Sequence, residues 1–267
     1  MTGTAAIRRT RSIGRAELLL FWRNRTALFN ALVVPVLIIG LVAIATADSD
    51  ASRDDEVRGN ALLTTGMLGF VLIYVVYYNL VTTYVARREE LVLKRLRVGE
   101  VTDVEILAGT ASPAIAIAAA QIVLFVVAGA AFLGLPVPVN APVLILGALG
   151  GVGVFVILAV ASSAFTRTVE LAQITTLPVL LVCMLGSGLV IPLDVLPEPG
   201  ADIARLLPLT PAVDLMRLGW LGTSGEDAPR DFMGALGVAT APAMTLALWA
   251  ALGVAAVRRW FRWEPRR

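Results

Sequence analysis

Histidine is missing from this 267-residue chain, and cysteine occurs once, as Cys183 inside an apolar run. The first absence excludes His-ligated metal sites and histidine general bases. The second excludes an intrachain disulfide. Lysine is nearly missing as well: Lys94 is the single lysine among 22 basic residues. A nucleotide-binding phosphate loop needs Gly-x-x-x-x-Gly-Lys-Ser/Thr, whereas Lys94 stands between Leu93 and Arg95. The chain therefore lacks such a loop. Charged residues are scarce, at 16% of the chain, against about 25% in an average soluble domain. The near-exclusive use of arginine fits a GC-rich bacterial genome.

What is abundant is apolar sequence, 58% of all residues, and it comes in long blocks. A bilayer core of about 30 Å needs roughly 20 consecutive apolar residues. Six blocks reach that length: 26–47, 61–86, 106–135, 143–165, 171–193 and 232–257. None alternates polar and apolar residues as the strands of a membrane barrel do, and backbone groups in lipid must be satisfied locally. The expected fold class is an all-α integral membrane protein with six transmembrane helices in a single domain over 1–267. A signal peptide is the rival reading of the first block, because "AIATADSD" follows it. A signal's apolar region is shorter, about 7–15 residues, so a retained helix is predicted. Pro35, Pro113, Pro178 and Pro242 are expected to kink their spans.

Charge placement sets direction. Of the Lys and Arg residues, six precede residue 26, five lie in 87–105, one is Arg167 and five follow Val257. The intervening 48–60, 134–142 and 194–231 hold only Arg53, Arg58, Arg205, Arg217 and Arg230. Acidic residues lean the other way, with five in "DSDASRDDE". By the positive-inside rule both termini are cytoplasmic. The N-terminal segment 1–25, with "TRSIGRAELLLFWRNR", is predicted as a helix at the cytoplasmic interface, and its first ten residues also fit a disordered basic tail. "RRWFRWEPRR" at the other end reads as an interfacial anchor rather than a nucleic-acid site.

Two segments between spans stand out. "ARREELVLKRLRVGEVTDVEIL", 86–107, concentrates charge on the cytoplasmic side. Its residue types favour helix, Glu90 and Lys94 stand in the favourable i,i+4 order, and Gly99 supplies a stop. A short amphipathic helix on the inner membrane face is expected, either solvated and partnerless or docked on another protein. On the outer side, 187–217 carries Pro192, Pro197, Pro199, Pro208 and Pro211, which forbid one continuous helix. The pieces "GADIARLLPL" and "AVDLMRLGWLG" read as a broken, half-inserted helical pair, or as an ordinary long loop.

"REELVLKRLR" at 88–97, "EILAG" at 105–109 and "SGLVIPLDVLPEPGADIARLLPLTPAVDLMR" at 187–217 resemble the permease subunits of type-2 ATP-binding-cassette (ABC) exporters. Where that family often has Gly-Thr after the acidic residue, this chain has Leu91-Val92; where it often has Thr-Pro-Leu, this chain has Val98-Gly99-Glu100. The resemblance implies that 87–105 is the coupling helix pushed by a separate ATPase. Glu89, Glu90, Lys94, Arg95 and Arg97 would make polar contacts, with Leu91 and Leu93 packed into the ATPase groove. It implies no cofactor in this chain, ATP and Mg being bound by the partner subunit. It also implies a second permease subunit, the same or a related chain, in a bacterial cell membrane. In such exporters spans two and five approach the central path, so Tyr74, Tyr78, Asn79, Gln173 and Thr175 are candidate path residues.

Each of these, like Asn30, Tyr77, Gln121 and Ser162, also fits simple interhelical hydrogen bonding. Gly147 and Gly151 form a small-xxx-small pair suited to helix packing. The absence of deep ionisable residues favours amphipathic or hydrophobic cargo (a drug-like compound, a lipid or a lipid-linked polymer) over an ion-coupled carrier. It also leaves a membrane enzyme without catalytic groups. A non-transporting assembly or signalling subunit would share the topology.

Overall fold

The computed structural model describes residues 53–93, 102–189, 193, 197–225, 228–261 and 263. The first expected span, 26–47, and the segment 1–25 lie outside the described residues, as do Lys94, Arg95 and Arg97. Among the described residues all regular structure is helical, and five helical runs are long and apolar enough to cross a membrane. These five correspond to the second to sixth expected spans.

The second span is one unbroken helical rod made of α1 (Arg53–Phe70), a π-helical stretch (Val71–Tyr78) and α2 (Asn79–Glu89). At 1.5 Å per residue it is roughly 55 Å long, well beyond the bilayer core. The expected 61–86 marks only its apolar middle. Both ends continue as helix into polar sequence, because hydropathy senses the membrane and not the helix.

α3 (Asp103–Phe132) opens on a capping box. The Thr102 hydroxyl accepts from the Glu105 N–H, and the Glu105 carboxylate accepts from the Thr102 N–H at 2.6 Å. These bonds satisfy donors that a helix start leaves open. The helix continues on both sides of Pro113. Pro113 cannot donate to the Gly109 carbonyl, and the Ser112 hydroxyl does so instead, at 2.8 Å. α4 (Ala141–Ser163) is capped by the Asn140 side chain, and α5 (Val169–Gly186) by Thr168. The expected sixth span is two helices, α8 (Phe232–Val238) and α9 (Thr240–Trp260). They part at Ala239 because Pro242 has no N–H for the Val238 carbonyl.

Between α5 and α8 lie α6 (Glu198–Arg205) and α7 (Thr210–Leu221). α6 is a short surface piece, with Ala201 and Ala204 buried and Ile203 exposed. α7 is buried almost throughout from Thr210 to Trp220 and lies at the centre of the fold against α4. Glycine makes this possible. A Cβ on Gly147 would meet Leu215 Cβ at 2.8 Å and the Ala212 carbonyl at 2.9 Å, and one on Gly219 would run into the Leu144 backbone nitrogen. The small-xxx-small pair thus receives α7, with Ala212 also seated against Gly151. Gly222, at φ 75°, ends α7 in the left-handed conformation glycine suits.

Candidate functional site

The described parts of three segments read as cytoplasmic, the rod end, the α4–α5 turn and the stretch after α9, meet at one end of the bundle, and Arg88 ties the first two together. It lies in the last turn of the rod, is buried, and donates to the Ser163 carbonyl at 2.9 Å and to the Thr166 carbonyl. Those carbonyls belong to the C-terminal end of α4 and the turn after it, where a helix leaves acceptors open and carries partial negative charge. A guanidinium there satisfies both needs. Beside it, Thr166 and Thr175 join hydroxyls at 2.9 Å, linking the α4–α5 turn to α5. The Tyr84 hydroxyl donates to the Leu107 carbonyl at 2.9 Å, tying the rod to α3; its burial and lack of any charged acceptor mark this as a structural bond.

The acidic edge follows at once. Glu89 and Glu90 are exposed, and Glu90 pairs with Arg87 at 3.2 Å. A solvated pair of this kind contributes about 0–1 kcal/mol, so it leaves the carboxylates available. Glu89 still belongs to the rod, which ends there; the island's charge begins on the span itself. Leu91 is exposed and sits at φ 57°. That left-handed conformation suits glycine, and it falls at the position where this chain departs from the expected Gly-Thr. Leu93 does not face outward as expected. It is fully buried, packed with Ile106 and Trp263. Trp263 and Phe261 meet edge to face at 5.1 Å, and Trp260 lies 5.6 Å from Phe165 on the α4–α5 turn. The basic-aromatic terminal run expected as a lipid anchor therefore turns inward at Trp263.

Higher on the rod, Tyr74 and Tyr78 stack with ring centroids 5.2 Å apart, and Phe70 stacks on Tyr74 at the same spacing. The ladder stands on the outer side of the π-helical stretch, with Phe70 and Tyr74 exposed. Asn79 is exposed nearby, its amide donating to the Val75 carbonyl at 3.3 Å. The opposite side faces inward: Tyr77 is buried, shares a hydrogen bond with Ser162 at 3.0 Å and meets Phe155 edge to face. Tyr77 and Ser162 are thus packing residues. α5 packs along the same stretch and along α2. Gln173 is exposed on it, whereas the Thr175 hydroxyl is taken up by Thr166 and by the Leu171 carbonyl. Of the five expected path residues, the structure brings Tyr74 and Tyr78 together, keeps Asn79 beside them, and places Thr175 in the turn junction.

Sequence reasoning missed Phe70, although it precedes Tyr74 by the same four residues that separate Tyr74 from Tyr78. It also missed Arg88 as a junction, and no local signal marks it: Arg88 looks like its half-buried neighbour Arg87.

At the other end, Arg217 is buried and donates to Thr65 Oγ1 at 3.1 Å and to the Gly188 carbonyl at 2.7 Å. The Trp220 indole donates to the Pro136 carbonyl at 2.8 Å, and the Asn140 amide to the Phe232 carbonyl at 2.9 Å. The loops read as external are therefore sewn to one another, opposite the Arg88 junction.

A bundle of long apolar helices with exposed carboxylates at one end and the buried α7 at its centre is the setting in which the comparisons fall. The model of the ABC-2 type transporter family matches residues 8–220. Comparison with curated proteins returns no match. The matched stretch takes in the rod, the charged turn and the buried α7, and on that extent the chain belongs to the ABC-2 type transporter family.

Proposed function

We propose that this chain is the membrane-spanning subunit of an ATP-driven exporter for amphipathic or hydrophobic cargo, with a second permease subunit, the same or related, completing the path. Membership of the family implies partnership with a separate ABC ATPase subunit. In this reading the Arg88 end is cytoplasmic, and ATP and Mg stay on the ATPase. Glu89, Glu90 and Leu91 form the edge that the ATPase pushes, together with Lys94, Arg95 and Arg97. Leu93 supports that edge from inside. Phe70, Tyr74 and Tyr78, with Asn79 and Gln173, line the cargo path.

One observation carries the proposal. The exposed edge begins at Glu89, the last residue of the same continuous rod, Arg53–Glu89, that carries the aromatic ladder. A displacement at Glu89 therefore reaches Tyr78 and Tyr74 through unbroken helix. The edge is charged because it must remain in water and grip another protein; the ladder is aromatic because its cargo leaves lipid.

The test is the double substitution Glu89→Ala/Glu90→Ala in the permease–ATPase complex reconstituted in vesicles. Export and permease-dependent ATP turnover should fall, while insertion and the fold persist, since both side chains are exposed. Undiminished export by the double variant would remove the edge from the mechanism.

A further inference from the structure

We propose that Phe261 and Trp263 form a brace that fixes the angle at which the Glu89–Leu91 edge is presented, and that tight coupling depends on it. The proposal rests on the coupling reading above.

A tryptophan serving as a lipid anchor sits at headgroup depth with its ring in the interface. Trp260 fits that description, being 49% exposed, but Trp263 is only 9% exposed. Its ring covers Leu93 and Ile106, both fully buried, with Leu107 and Phe261 completing the cluster. The backbone shows how it gets there. Phe261 leaves α9 with extended angles, φ −66° and ψ 129°, so the chain turns across the end of the bundle. The cluster joins the two ends of the α2–α3 connection, Leu93 after the rod and Ile106 in the first turn of α3. Trp260, on Phe165, touches the neighbouring α4–α5 turn. These residues lie beyond 220, where the family match ends.

The turn needs holding. Leu91 occupies a left-handed conformation that an L-residue with a Cβ adopts only at a cost. Left alone, the segment after Glu89 would relax toward ordinary backbone angles, and a push on the edge would be absorbed there. Burying Leu93 under Trp263 anchors the residue two positions on. The load on Glu89 and Glu90 then passes into the rod.

The test compares Trp263→Ala, Trp263→Phe and Trp260→Ala in the reconstituted complex. Two quantities are read: permease-dependent ATP turnover, and the mobility of a nitroxide at Leu91→Cys in a Cys183→Ala background. Trp263→Ala should free the label and lower turnover about tenfold, with the ATPase still co-purifying and its KM for ATP unchanged. Trp263→Phe, which keeps a ring over Leu93, should restore most of both. Trp260→Ala should alter neither. If Trp263→Ala fails to accumulate in membranes, Trp263→Leu is read in its place. Unchanged label mobility and turnover in Trp263→Ala, with turnover lost in Glu89→Ala/Glu90→Ala, would overturn the brace and leave the coupling reading standing. Equal effects of Trp260→Ala and Trp263→Ala would also overturn it, in favour of general lipid anchoring. Normal turnover in Glu89→Ala/Glu90→Ala would overturn the coupling reading, and the brace with it.

Discussion

Gly147→Ala and Gly153→Ala place the same added methyl on the same helix, α4, with opposite consequences. At Gly147 the new Cβ would lie 2.8 Å from Leu215 Cβ, 2.9 Å from the Ala212 carbonyl oxygen and 2.9 Å from the Met216 nitrogen. All three atoms belong to α7 or its Cβ row and cannot rotate away, and Ala212, Leu215 and Met216 are fully buried. At Gly153 nothing lies within 4 Å. Alanine gains up to about 1 kcal/mol over glycine in helix propensity, and this gain is common to both positions, so it cancels in the comparison. What remains is overpacking, typically about 1–3 kcal/mol, and backbone obstruction puts Gly147 toward the upper end. Thermal unfolding in lipid nanodiscs, followed through the fluorescence of buried Trp220, measures the difference. Gly153→Ala should match or exceed the parent protein, and Gly147→Ala should melt earlier. Coincident midpoints for the two variants would refute the close seating of α7 on α4, and with it the central place given to α7.

Arg88→Ala should destabilise the protein by about 1–3 kcal/mol for each of the two buried carbonyls, at Ser163 and Thr166, that it strips of a donor; protease sensitivity of the α4–α5 turn in intact vesicles checks it. Arg88→Lys should recover only part of the loss, since one ammonium cannot reproduce the planar fork. Leu91→Gly removes a left-handed strain of about 1–2 kcal/mol and adds a backbone-entropy cost of about 0.5–1 kcal/mol. A net gain in stability of up to roughly 1.5 kcal/mol is expected, read by the same nanodisc melting, and a loss of stability would show that Leu91 is not held at positive φ.

Membrane class and the positions of the second to sixth spans were legible in the sequence. Each depends on the transfer of a single run of about 20 residues into lipid. Runs such as 143–165 therefore land within two residues of α4. Tyr74 and Tyr78 were legible as neighbours for a similar reason, since four residues along a helix is a local distance. The charged turn was visible as composition, but its inward and outward sides were not. Leu91 and Leu93 look alike in sequence, yet one is exposed and the other lies under Trp263. Nothing in "AVDLMRLGWLG" told a surface helix from a buried one, because the partner that buries α7 is a glycine face on α4, far back in the chain. The same holds for Arg88 with Ser163 and Arg217 with Thr65, partners 75 and 152 residues apart. Hydropathy is a sum over neighbours along the chain and is complete before folding. The choice among chemically equal side chains is made only when distant segments compete for the same buried volume, and that competition exists in the tertiary structure alone.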